Sequence, residues 1–154
     1  RRKARNALGR RSPSHPPRTR RTATLTAFLD TNVLIRHLTG DPPEMAARAT
    51  AALAGPDQLL LTDLGLAECV YVLESIYEVE RPMVAALTRS AIALRSIETV
   101  DADLLLRALE VYELERLDFA EAYLVAQAEA TGINEVLSFD RSIDKIQHIT
   151  RREP

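Results

Sequence analysis

A chain of 154 residues, 46% of them apolar, is long enough to bury a real core and has no run approaching the roughly 18 apolar residues of a membrane span. Its net charge of −2 conceals an asymmetry: residues 1–24 carry nine basic side chains and no acid, while residues 25–154 carry 11 basic and all 22 acidic ones. The lone Cys69 excludes an internal disulfide and fits a reducing, cytoplasmic setting.

The basic stretch has no apolar segment after it and so does not read as a secretory signal. Residues 1–23 are expected to be a disordered extension, either a basic arm that tracks phosphates or an upstream appendage. Residues 24–154 are expected to form the folded domain.

In chain order, 24–29 (TLTAFL) reads as a first strand, ending at Asp30 and turning through Thr31 and Asn32 into another apolar segment. Asp41-Pro42-Pro43 starts a helix that runs to about Leu53 and stops at Gly55-Pro56. A second strand, 58–62 (QLLLT), leads to a helix capped by Thr62 or Asp63 and expected to continue to about Val79. Its apolar face carries Leu66, Cys69, Val70, Leu73, Ile76 and Tyr77. Another helix begins near Arg81-Pro82, with Val84, Leu87, Ala91 and Leu94 inward. A third strand follows at 97–100, then a helix opened by Asp101 or Asp103. The segment 118–130 is helical in composition and stops at Gly132. A fourth strand, 135–139, ends at Asp140 as the first ended at Asp30. A short turn over 141–146 and an edge strand at 148–150 complete the pattern. Strands alternating with helices predict an α/β fold with right-handed crossovers and a mostly parallel sheet covered on both faces.

Carboxylates recur at the mouths of these strands. Asp30 and Asp140 follow strand ends, where open α/β sheets hold ligands, although Asp30 reads equally well as a helix cap. Asp118 and Glu121 share a helix face at i, i+3, and an acid in a first helical turn is also favoured by capping and the helix dipole. Glu68 sits in LGLAECVYVL among apolar neighbours, with no basic residue between Arg48 and Arg81, and an isolated carboxylate buried there would need a cation. Oxygen-only ligation suits Mg²⁺ or Mn²⁺. His15, His37 and His148 do not cluster with these acids, which disfavours zinc. Cys69 reads as a buried structural thiol.

The segments FLDTNVLIRHL (28–38), LAECVYVLE (66–74), LDFAEAYLVAQA (117–128) and VLSFDRSID (136–144) resemble, in order and spacing, the PIN-domain nucleases, in particular the toxin ribonucleases of VapBC toxin–antitoxin pairs. The resemblance spans about residues 25–150. It implies a three-layer α/β/α fold with a four- to five-stranded parallel sheet and an acidic pocket that binds Mg²⁺ or Mn²⁺ and hydrolyses RNA. Asp30, Glu68 and Asp140 match the family's first, second and last acids. At the third position the family's Asp is replaced by Glu121, one methylene longer, with Asp118 three residues earlier, so activity could be reduced. Asn32 and Ser138 match polar positions flanking the pocket.

The implied reaction is metal-assisted phosphodiester hydrolysis leaving a 5′-phosphate and a 3′-hydroxyl. Arg36 and Arg141 either hold flanking phosphates or are ordinary solvated arginines, and Asp144 reads as a surface or capping acid. The resemblance further implies an antitoxin partner covering the acidic groove and a homodimer, with Leu73, Ile76, Tyr77 and Leu87 serving the core or such an interface. Two alternatives stand: a degenerate domain that only binds RNA or protein, and an aspartyl phosphatase using Asp30 as nucleophile. The phosphatase reading is weakened because Asn32 stands where such enzymes commonly have a second acid.

Overall fold

The computed structural model describes residues 25–154, so the expectation of a disordered basic extension over 1–23 lies outside the described residues. Among the described residues five short strands and six helices alternate: β1 (Ala27–Phe28), α1 (Thr31–Thr39), α2 (Pro43–Leu53), β2 (Leu59–Leu60), α3 (Asp63–Ser75), α4 (Arg81–Ile92), β3 (Ile97–Glu98), α5 (Ala102–Glu115), α6 (Phe119–Thr131), β4 (Glu135–Leu137) and β5 (Thr150–Arg152). A 3-10 turn at Arg141–Lys145 lies between β4 and β5. The α/β class, the parallel strands and the three-layer order agree with expectation.

All strand pairings are parallel, but they form two ladders. β2 lies between β1 and β3, in the registers Ala27 with Leu59 and Leu59 with Ile97, while β4 pairs with β5 from Glu135 with Thr150 onward. Among the described residues β1 and β4 share no ladder. Hydrogen bonding runs past the end of β2, where the Leu61 N–H bonds the Glu98 carbonyl at 2.9 Å and the Leu61 side chain is fully buried.

Local chemistry sets the helix boundaries. Asp30, Thr62, Asp101 and Asp118 each cap a helix with a side-chain oxygen on a backbone N–H one or two residues into the helix. Gly40 and Gly132 close α1 and α6 at φ of 73° and 72°, where a side chain would be strained. α3 ends at Ser75, short of the expected Val79. The backbone reverses at Glu78 (φ 51°), and the Val79 N–H bonds back to the Leu73 carbonyl at 3.0 Å. This reversal leaves Ile76 exposed and Tyr77 half-buried, while Leu73 stays fully buried. The core joins both layers through Leu34, Leu61, Leu66, Leu105, Tyr112 and Val125, all at most 1% exposed. No helix among the described residues is long and apolar enough to cross a membrane.

Candidate active site

β1 delivers its chain end through buried Leu29 to Asp30, which is exposed and caps α1: its Oδ1 accepts the Asn32 N–H at 2.8 Å. Capping and ligand binding are therefore compatible roles, since one carboxylate oxygen serves the helix and the other is not engaged by it. Asn32 meets Asp30 through its backbone, while its side chain lines a groove between α1 and α2.

Glu68 departs from expectation in its surroundings. Leu66, Cys69 and Val70 are at most 1% exposed, but the 100° step of the helix turns Glu68 to the outside of α3, where it is exposed. No buried isolated carboxylate exists there, and the desolvation argument for a cation at Glu68 falls. Its Oε2 instead accepts a hydrogen bond from the Thr31 hydroxyl at 2.9 Å. The buried Cys69 thiol behind it is pushed up to about 12, first by desolvation and then by the Glu68 charge, which makes it inert.

The second half of the site is built on α6 and the 3-10 turn. Asp118 accepts the Glu121 N–H at 2.8 Å, and Glu121 Oε2 accepts the Asp118 N–H at 3.1 Å, a reciprocal capping box. Asp140 caps the 3-10 turn by accepting the Ser142 N–H at 2.8 Å, and the Ser142 hydroxyl donates to Glu121 Oε1 at 2.5 Å. Asp140 is held below the usual carboxylate range by the Ser142 N–H, then by the Ser142 hydroxyl and the Glu121 carboxyl. Asp118, Glu121 and Asp140 are thus brought to one place. Ser138 lies where expected: its hydroxyl accepts the Asp140 N–H at 2.9 Å.

Asp30 and Glu68, joined through Thr31, form one group; Asp118, Glu121 and Asp140, joined through Ser142, form the other. Among the described residues no three Asp, Glu, His or Cys side chains gather closely enough to hold a metal ion as they stand. The donor chemistry nevertheless suits a hard cation. Every donor is a carboxylate oxygen, and among the described residues none of the five acids is in an ion pair, whereas Glu74, Glu110, Glu113, Glu129, Glu135, Asp144 and Glu153 all are. His37 is bonded to Thr50 and His148 to Glu129, away from these acids. Asp144 grips Arg151 with both oxygens, at 2.8 and 3.2 Å.

Of the two arginines expected near phosphates, Arg141 is exposed on the 3-10 turn, whereas Arg36 Nη1 donates to the Asp41 carbonyl at 2.9 Å and the Tyr77 hydroxyl at 3.1 Å. Thr31 and Ser142, which sequence reasoning passed over as turn residues, are the hydroxyls that bond the candidate acids Glu68 and Glu121. Their signal was their place directly beside Asp30 and Asp140, since a hydroxyl one or two residues from a strand-end carboxylate lies in reach of whatever that carboxylate faces.

A family profile described as PIN domain matches residues 27–149. Among solved structures, the chain is similar to the crystal structure of Mycobacterium tuberculosis VapC20, a sarcin-ricin loop cleaving toxin. The identity is 25%, over 75% of this chain and 90% of that chain, with a TM-score of 0.32. No curated protein matches.

Proposed function

The chain belongs to the PIN domain family, whose profile covers most of its length, and from that premise we propose that it is a Mg²⁺- or Mn²⁺-dependent endoribonuclease and the toxin of a toxin–antitoxin pair. The observation that carries the nuclease reading is the placement of five acids at strand ends and in the first two turns of adjoining helices, none of them in an ion pair among the described residues. The toxin reading is supported by the four motifs in their family order.

Asp30 and Glu68 on one side, and Asp118, Glu121 and Asp140 on the other, would hold the cation. When bound, a divalent cation supplies the positive charge that stabilises a reacting phosphate and the acidity that makes water a nucleophile. The chain's own residues do the rest. The Thr31 hydroxyl orients Glu68, Ser142 orients Glu121 and holds the Asp140 carboxyl below its usual range, and the caps on α1 and α6 fix the carboxylates to rigid helix starts. Arg141 meets a flanking phosphate of the strand. A basic antitoxin segment would neutralise the same carboxylates, and a homodimer is part of this proposal.

The experiment is incubation of purified protein with RNA in Mg²⁺ or Mn²⁺, with sequencing of the product ends. Cleavage leaving 5′-phosphates, abolished by EDTA and by Asp30→Asn, supports the reading. Cleavage that survives both overturns it.

One observation favours a second reading, a catalytically weakened domain that binds RNA or protein. Both Glu121 oxygens are already taken, one by the Asp118 N–H and the other by the Ser142 hydroxyl. Wild-type protein that binds RNA in Mg²⁺ without cutting it would establish that alternative.

A further inference from the structure

The charges of this chain are sorted along its length. Residues 1–24 hold nine basic side chains and no acid, and residues 25–154 hold 11 basic side chains against 22 acidic ones. The body's own cations are largely engaged elsewhere: Arg81, Arg89, Arg107, Arg151 and Arg152 pair with other acids, and Arg36 donates to the Asp41 carbonyl and the Tyr77 hydroxyl. Asp30, Glu68, Asp118, Glu121 and Asp140 are left with no ion pair among the described residues. A surface of one sign draws charge of the other to it.

As they stand, these acids do not converge on one point. Asp30 and Glu68 form one group and Asp118, Glu121 and Asp140 the other, with no three donors close enough for a metal ion among the described residues. Separate acidic groups suit several cations spread along a chain. A guanidinium meets a carboxylate through a planar fork of donors, so arginines one or two residues apart can engage neighbouring carboxylates in turn. Asp30, Glu68, Asp118 and Asp140 are exposed and therefore open to a segment that lies over the surface.

The chain supplies such a segment within reach. Arg18, Arg20 and Arg21 shortly precede the described residues, and Leu25 is five residues from Arg20 and five from Asp30. A chain that doubles back near Leu25 spans about 17 Å on either side of it, so Arg20 can come level with Asp30. Among the described residues β1 pairs with β2 alone, and Phe28 is 74% exposed, which leaves the way from Leu25 to Asp30 open. A segment tethered this closely meets the carboxylates at an effective concentration on the order of millimolar.

We infer that residues 18–21 dock in cis on the candidate site, with Arg18, Arg20 and Arg21 on its carboxylates, and hold it closed to a divalent cation until that cation displaces them. The inference rests on the reading of these acids as the cation site and adds to it regulation by the chain itself. Exposed ion pairs are individually weak and are screened by salt, so the block is reversible.

The test uses the full chain throughout, and thermal melts confirm that all variants are folded. Mn²⁺ titrations at low salt, followed by the paramagnetic resonance of the free ion, should show about tenfold tighter binding by Arg18→Ala/Arg20→Ala/Arg21→Ala than by wild type. The gap should close at about 1 M salt, where the screening length is about 3 Å. Removing as much charge farther away, with Arg1→Ala/Arg2→Ala/Lys3→Ala, should change the affinity by less than about twofold. A readout without metal comes from Arg20→Lys, which introduces an amine that carbodiimide can join to a carboxylate. Amide crosslinks within one chain to Asp30, Glu68, Asp118, Glu121 or Asp140 support the contact. An absence of crosslinks to these five acids, crosslinks between chains, or equal Mn²⁺ affinity in wild type and the Arg18→Ala/Arg20→Ala/Arg21→Ala variant each overturns the inference and leaves the nuclease reading standing. Failure of both wild type and that variant to bind Mn²⁺, with the crosslinks present, overturns the cation-site reading and leaves the docking contact standing.

Discussion

The Thr31 hydroxyl donates to Glu68 Oε2 at 2.9 Å, tying the first residue of α1 to the second turn of α3 across 37 positions of sequence. Thr31 is itself buried, so its hydroxyl has a fixed direction, and Glu68 is exposed, so the bond orients a carboxylate that solvent would otherwise leave free to rotate.

Thr31→Val removes this donor while nearly keeping the shape. The loss of one hydrogen bond is worth about 1 kcal/mol of stability, whereas removing the partner of a metal-binding carboxylate costs about 10–100-fold in activity or metal affinity. Cleavage rates and melting curves for Thr31→Val and Thr31→Ser separate the two effects. Thr31→Ser should recover most of the activity; equal losses in both variants would show that the hydroxyl has no orienting role.

Glu121→Asp tests the residue at which this chain departs from the pattern that its motif resemblance implies. The shorter side chain cannot close the capping box as Glu121 does, so stability should fall by about 0.5–1 kcal/mol. RNA cleavage should nevertheless rise, because the shorter side chain releases its Oε2-equivalent oxygen from the Asp118 N–H and leaves it open to a cation. Unchanged or lower cleavage would mean that Glu121 already serves the site fully.

Glu129 links three elements by accepting both Arg107 Nε and Nη2, at 2.7 and 2.8 Å, and His148 Nε2 at 2.6 Å. The Arg107 hydrogen bonds come first among the causes that hold its carboxyl below the usual range. A carboxyl depressed on folding contributes stability above its unfolded value of about 4.3, and that contribution disappears as pH falls through the folded value. Wild type should therefore melt higher than Glu129→Gln at neutral pH, and the gap should close on acidification below about pH 4. A gap independent of pH would remove the charge from the explanation.

The Cys69 thiol, fully buried and pushed up to about 12, should not react with a thiol reagent at pH 8 while the chain is folded, and should react fully in denaturant. Rapid labelling of the native protein would show that the core around α3 opens readily.

Much of this architecture follows from local patterns. The caps at Asp30 and Asp118 and the stop at Gly132 were legible, and those at Thr62 and Asp101 were narrowed to two candidates each, because each is a contact between residues a few positions apart. The end of α3 was not, because the apolar spacing runs on through Ile76 and Tyr77 although the backbone reverses at Glu78. Glu68 was misread for a related reason. Apolar neighbours in sequence suggest burial, yet on a helix they occupy other faces.

By itself the sequence determined the alternation of strands and helices, the five acids and the order of the four motifs, all of which depend on residue type and short spacing. Only the tertiary structure decided which of those acids stand together. Thr31 meets Glu68 and Ser142 meets Glu121 through packing of α1 on α3 and of the 3-10 turn against α6, contacts between residues 37 and 21 positions apart. It also divided the strands into two ladders, because strand pairing joins backbones far apart in the chain and no local preference encodes which edges meet.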